Sequence, residues 1–262
     1  MGVGISTACH YPLETEKSLS KLGKADVKIA EIFFNSRSEL EPPLLNEINA
    51  VKDFYGININ SVHPYLTFGE SYLVFSEYYR RFLDSVEDFK KIFEAMNKLD
   101  SKICVIHGEK TPFRIEEDEY FERFALISEE AKKFGVILTQ ENVVNFRSSS
   151  VDFLKRMRSA LGEKFKLTFD IKQSVRSKID PFDFAAAFGK DIVSIHISDH
   201  NSKSDCIPPL SGIFDFEEFF RTMRGFGYDK NYIIELYRSG FDSEEELISS
   251  YKKVARLLGA VS

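Results

Sequence analysis

The feature that most limits how this chain can fold is a regular alternation. Eight short runs rich in β-branched and aromatic residues recur along 262 residues, each followed by an amphipathic helical stretch. The runs are VGISTA (3–8), VKIAEIFF (27–34), ININSVH (57–63) and ICVIH (103–107), then VILTQE (136–141), FKLTFD (165–170), IVSIHI (192–197) and YIIELY (232–237). Between them, apolar residues step by three and four: Tyr79, Phe82, Val86, Phe89, Phe93 and Met96 in one stretch, Phe121, Phe124, Ile127, Ala131 and Phe134 in another. Leu247, Tyr251, Val254 and Leu258 form a third stripe. Such stripes pack on a sheet. Gly56, Gly135 and Gly227 stand where helices must stop before the next strand. Eight strand–helix units in about 250 residues predict an α/β fold closed as a single (β/α)8, or TIM, barrel over residues 1–262. An open doubly wound sheet is the alternative, but it usually carries a Gly-rich phosphate loop, and none is present.

Composition narrows the function classes. The formal charge of −6 gives no general pull toward nucleic acid or anionic membranes. Cys9, Cys104 and Cys206 are odd in number and lack C-x-x-C spacing, so a disulfide framework is not expected and a reducing cytoplasm is. No apolar run approaches the roughly 20 residues of a membrane span, and MGVGISTACH lacks the basic region and long apolar core of a signal peptide. A cytoplasmic protein with a small-molecule partner is the expectation.

Alternation within the strands places the polar residues. In IVSIHIS, Val193, Ile195 and Ile197 share one face, and Ser194, His196 and Ser198 the other. The helix-facing layer needs hydrocarbon, so the polar set points into the barrel. The same phase puts Lys166, Thr168 and Asp170 inside on the sixth strand, and Ile233 and Glu235 inside on the eighth. His63, His107 and Glu141 close the third, fourth and fifth strands. Six consecutive strands therefore deliver His63, His107, Glu141, Asp170, His196 and Glu235 to the C-terminal mouth, where barrel enzymes keep their sites. Three carboxylates crowded there repel one another unless a cation neutralises them. With imidazole nitrogens beside them, the set suits Zn²⁺, Mn²⁺ or Co²⁺ better than Mg²⁺. Glu31 also points inward and is read as a supporting residue.

The motifs QENV at Glu141, TFDIKQ at Asp170, SIHISDH at His196 and IIELY at Glu235 resemble those of the xylose-isomerase-like barrels. That superfamily includes sugar and sugar-phosphate isomerases and epimerases, certain dehydratases and endonuclease IV-type repair enzymes. The resemblance implies that Glu141, Asp170, His196 and Glu235 hold a divalent metal and that Glu141 and Glu235 also act as acid and base. It implies that His63 and His107 serve a second metal or the substrate, and that Asp199 orients a ligand. Two departures stand out. The nuclease branch has a histidine three residues after the strand-six aspartate, where this chain has Gln173. It also has an Asp-x-His after strand seven, where this chain reads Asp205, Cys206, Ile207.

The expected activity is therefore metal-dependent isomerisation or epimerisation of a sugar or sugar phosphate through an enediolate. An abasic-site phosphodiesterase and a dehydratase of a small hydroxy-carbonyl compound, with His200 as acid, are the alternatives. Among loop cations Arg114, Arg147, Arg176, Lys203 and Arg238, the best placed for a substrate anion are Arg147 and Arg238, and Lys203 and Gln173 stand in for family substrate contacts. The aromatic segment 65–79 is open to two readings: a lid or wall over the substrate, or a helix extension or subunit contact.

Overall fold

In the computed structural model, which describes residues 1–261, every β-rich run forms a strand in one parallel sheet. The first half of the sheet is β1 (Val3–Ser6), β2 (Ile29–Phe33), β3 (Asn58–His63) and β4 (Ile103–Ile106). The second half is β5 (Ile137–Glu141), β6 (Leu167–Asp170), β7 (Ile192–Ile197) and β8 (Tyr232–Ile234). β8 pairs back onto β1, with Gly4 beside Ile233, and closes the barrel. The fold is a (β/α)8 TIM barrel, as the alternation predicts.

Helices α1 (Thr15–Lys24), α2 (Leu44–Tyr55), α3 (Tyr79–Lys98), α4 (Glu117–Lys133) and α5 (Val151–Leu161) fill the first five crossovers. The sixth crossover holds α6 (Ile171–Arg176) and α7 (Pro181–Phe188), and α8 (Phe216–Gly225) and α9 (Glu244–Ala260) complete the ring. Local chemistry sets their ends. Asp180 accepts from the amides of Phe182 and Asp183 and has Pro181 at the first helical position, which starts α7. Gly56 stops α2 at φ 61°, a left-handed conformation that costs glycine little. After α1 and α3 that conformation falls to Asp26 and Asp100, and Asp100 also accepts from Lys52 Nζ at 2.8 Å.

The helical stripes bury as expected, with Phe82, Phe89, Phe93 and Met96 shielded under α3 and Phe124, Ile127 and Ala131 under α4. Each such side chain contributes on the order of 1.5–3 kcal/mol by leaving water. Tyr79, at the exposed start of α3, is the exception in its stripe.

The barrel interior departs from the usual aliphatic filling. Its middle layer is polar and internally hydrogen-bonded: Thr139 Oγ1 meets Thr168 Oγ1 at 2.8 Å, and Asn60 Nδ2 donates to Ser61 and Ser194. An irregularity in the β2–β3 pairing, opposite Ala30 and Glu31, inserts Asn60 as an extra residue. Both Asn60 and Ser61 then reach the interior, and Ser61 Oγ donates to Glu31 at 2.6 Å. Lys166 does not join this layer. It precedes β6 and lines a surface groove with Lys164 and Glu163 at the N-terminal end of the strands. A lysine there keeps its ammonium in water.

Candidate metal centre

Strand register assembles the mouth. Asp170 pairs with His196 across β6–β7, Glu141 with Thr168 across β5–β6, and Phe33 with His63 across β2–β3. The QEN motif fixes the neighbours of Glu141. Gln140 Nε2 donates to the carbonyls of His107 and Glu141 at 2.8 and 2.9 Å, and its Oε1 accepts from Tyr120 Oη. Asn142 brackets the Asp170 backbone, accepting from its amide at 2.7 Å and donating to its carbonyl at 3.0 Å. Asp170 Oδ1 accepts from the Gln173 amide and caps α6, which turns Oδ2 toward the cavity.

His196 sits at the centre. Its Nε2 lies 2.8 Å from Glu31 Oε2, and its Nδ1 lies 3.3 Å from Glu141 Oε1, 3.5 Å from Glu235 Oε2 and 3.9 Å from Asp170 Oδ2. His107 Nε2 approaches Glu141 Oε2 to 2.9 Å as an ion pair. His63 stacks on Phe33 at 4.8 Å, with both ring nitrogens buried and without a hydrogen-bond partner. Glu31 Oε1, Glu141 Oε2 and Asp170 Oδ2 are also buried without one. Such orphaned atoms are costly and here converge on one place.

Candidate ligand atoms form overlapping groups, each within 4.8 Å. Glu141, Asp170, His196 and Glu235 make one; His63, His107 and Glu141 make another; Glu31, His63, His196 and Glu235 make a third. Mixed carboxylate and imidazole donors with unsatisfied lone pairs fit a first-row divalent ion. Glu31, read from the sequence as a supporting residue, is a full member of the cluster.

The charges explain why. Burial would lower His196, but Glu31 and Glu235 overrule it and hold the imidazole well above its ordinary value. Burial pushes Asp170 up to about 7 against the pull of Lys172, with Glu141 and Glu235 adding repulsion. Glu235 is driven the other way, to about 2, because Lys172 and His196 outweigh its burial. Burial lowers His63, which is therefore neutral and free to donate a lone pair near pH 7.

Lys172 escapes the sequence reading. Its buried ammonium lies 2.9 Å from Glu235 Oε2 and 3.1 Å from Asp170 Oδ2, and 5.0 Å from the Tyr237 ring centre. One signal was available, since a lysine in the first turn of a helix opposes the helix dipole and needs a compensating partner.

The other loop residues take varied roles. Gln173 and Arg238 line the main cavity, of about 600 Å³, with Glu141, Glu235, Lys172, Phe33, Phe68 and Tyr237. Arg147 does not face it, because Glu109 takes its Nε at 2.6 Å and Phe113 stacks at 4.2 Å. Lys203 is exposed, held by its backbone to Asn201. Asp199 is spent on the amides of His200, Gly212 and Phe214 and staples the loop after β7. His200 lies against Phe214, outside the cavity lining. Asp205 pairs with Arg176, Cys206 is buried, and Ile207 bridges to Asp199. The segment 65–79 is an anchored wall. Glu70 accepts from the Gly108 amide, Ser71 from Lys110, and Arg123 donates to the carbonyls of Val74 and Ser76. Phe68 at its tip faces the cavity.

Several solved structures share this architecture across the whole chain. A D-tagatose 3-epimerase-like protein aligns with TM-score 0.82 and 22% identity, covering 100% of this chain and 98% of its own. The IOLI protein with a bound zinc atom aligns with TM-score 0.80 and 16% identity over 100% and 99%. The probable 3-DHS dehydratase AsbF of Bacillus anthracis aligns with TM-score 0.76 and 16% identity over 96% and 98%. A comparison with curated protein sequences returned no match. No described helix is long and apolar enough to cross a membrane. The profile of one family matches residues 19–257, nearly the full length, and the chain belongs to that family, the xylose isomerase-like TIM barrels.

Proposed function

We propose that the protein is a divalent-metal-dependent isomerase or epimerase of a sugar or related hydroxy-carbonyl compound, with Glu141, Asp170, His196 and Glu235 as metal ligands. The observation that carries this reading is the convergence of those four side chains within 4.8 Å, with Glu141 Oε2 and Asp170 Oδ2 buried and without a hydrogen-bond partner. Zn²⁺, Mn²⁺ and Co²⁺ suit the donor set. When bound, such an ion would draw electron density from adjacent substrate oxygens and acidify the intervening C–H.

The chain's own groups supply the proton traffic. Glu141 leans to the His107 side of the mouth and Glu235 to the Lys172 side, so one carboxylate removes the proton and the other returns it to an enediolate. Phe33, Phe68, Leu236 and Tyr237 wall the cavity with hydrocarbon and aromatic surface, which limits water around the reacting carbon. The epimerase-like and zinc-bound structural relatives support the same reading. An abasic-site phosphodiesterase is less well supported, because no candidate ligand group among the described residues draws on the loop carrying Asp205. A dehydratase would need an acid other than His200, which lies outside the cavity.

The test is solvent-deuterium exchange at the carbon beside the carbonyl, screened over hydroxy-carbonyl compounds with added Mn²⁺, Zn²⁺ or Co²⁺. Glu235→Gln is expected to lower exchange by roughly 10³-fold. Undiminished exchange in that variant contradicts the acid–base role.

A further inference from the structure

The main cavity adjoins a neighbouring one of about 400 Å³, and the two share Phe68, His107, Gln173 and Tyr237 in their linings. Their charge differs. Glu141 and Glu235 line the first together with Lys172 and Arg238, whereas the second is lined by Lys110, Arg114 and Arg176 and by no aspartate or glutamate. Arg176 is already committed, gripping both carboxylate oxygens of Asp205 at 2.7 Å. Lys110 and Arg114 form no ion pair among the described residues. Arg114 stacks over the Tyr72 ring at 4.4 Å and gives only Nη1 to the Pro112 carbonyl at 3.4 Å. Its remaining N–H groups lack a protein acceptor among the described residues.

The loop carrying both cations is held from several sides. Gly108 leaves β4 at φ 91°, where an added Cβ would lie 2.1 Å from Tyr120 Oη, so only glycine makes this turn. Beyond it, the Lys110 amide donates to Ser71 Oγ at 2.7 Å and the Thr111 amide to the Asn145 carbonyl at 2.9 Å. Two unpaired cations are thus presented by a braced loop to an acid-free concavity, beside a mouth rich in carboxylates. A substrate anion seated in the annex would keep its charge apart from those carboxylates. A guanidinium with free N–H groups and an ammonium are the donors that bind phosphate or carboxylate oxygens.

We propose that this annex is an oxyanion subsite: Lys110 and Arg114 hold a phosphate or carboxylate of the substrate while its reacting carbons lie between Glu141 and Glu235. The proposal deepens the isomerase reading, on which it rests, by assigning the substrate an anionic tail.

The test pairs binding with turnover, on the full chain. Inorganic phosphate and malonate are titrated calorimetrically into the wild type, the Lys110→Glu/Arg114→Glu double variant and Lys110→Arg. The subsite predicts binding of at least one anion, at least tenfold weakened by the double charge reversal and retained in Lys110→Arg. Phosphate alone binding marks a phosphate ester, and malonate alone a sugar acid. No anion binding to the wild type, or equal binding to the double variant, overturns the proposal. In the metal-supplemented exchange assay, the favoured anionic compound should have a KM at least tenfold below that of its neutral parent, and the double variant should erase the difference. Equal KM values for the two in the wild type also overturn it. If no compound exchanges, the isomerase reading fails, while the anion titrations still decide the annex.

Discussion

The barrel holds two buried polar layers, and they differ in how their hydrogen bonds close. In the middle layer Thr139 pairs with Thr168, Asn60 with Ser61 and Ser194, and Asn231 with Asn60, so no side-chain polar atom there is left alone. In the mouth above, His63, Glu31, Glu141 and Asp170 each leave at least one buried atom unpartnered. Both layers cost desolvation on folding. Only the upper one carries buried side-chain atoms without a hydrogen-bond partner, among them both ring nitrogens of His63. A satisfied network specifies structure; an unsatisfied one in a cavity waits for a ligand.

The widest separation between the layers should come from metal affinity. Glu141→Gln removes a candidate ligand and is expected to weaken Mn²⁺ or Zn²⁺ binding by about 100-fold or more in calorimetric titration. The Thr139→Val/Thr168→Val double variant should leave that affinity unchanged and, because both partners of one bond become apolar, alter stability by only about 1 kcal/mol. Comparable loss of affinity in both variants would erase the distinction.

Lys172 sharpens the comparison from the other direction, since it supplies the upper layer with its own cation. Its ammonium competes with an ion for Asp170 and Glu235. Lys172→Met is expected to tighten metal binding at least tenfold, a sign opposite to every ligand deletion. In the wild type, affinity should also rise between pH 6 and pH 8. Asp170, pushed up to about 7, and His196, held well above its ordinary value, must both shed protons to coordinate. Affinity that is flat with pH would mean that neither group is a ligand.

The remaining expected effect lies at the wall, away from the candidate ligands. Burial pushes Glu70 from 4.5 up to about 8. The folded state then keeps a proton that the unfolded state releases between those values. Its stabilising contribution is complete below pH 4.5 and is lost as pH rises through 8. Wild type and Glu70→Gln should therefore differ in the pH dependence of denaturant unfolding, with the variant losing less stability, on the order of 2–4 kcal/mol, between pH 4.5 and 8. Parallel profiles would show that Glu70 ionises as it would in water.

Much of this was legible in the sequence because it depends on short periods. Strand alternation placed Asp170, His196 and Glu235 on inward faces, and three-and-four spacing placed Phe89 and Phe93 under a helix. The partnership of Glu31 with His196 was not legible, because β2 and β7 meet only across the closed barrel. Loop side chains were the least readable. Arg147 and Asp199 stand close in sequence to the mouth, yet each is drawn to a nearer partner, Glu109 in one case and the backbone amides of its own loop in the other. Lys166 shared the inward phase of its strand, but the strand begins two residues later than its β-rich run implies.

The most direct measurement is anomalous diffraction from crystals grown with Mn²⁺. A peak is expected among Glu141, Asp170, His196 and Glu235, with Lys172 displaced from the two carboxylates it now contacts. Full-occupancy density for Lys172 against Asp170 and Glu235, with no peak between the four side chains at saturating Mn²⁺, would contradict it.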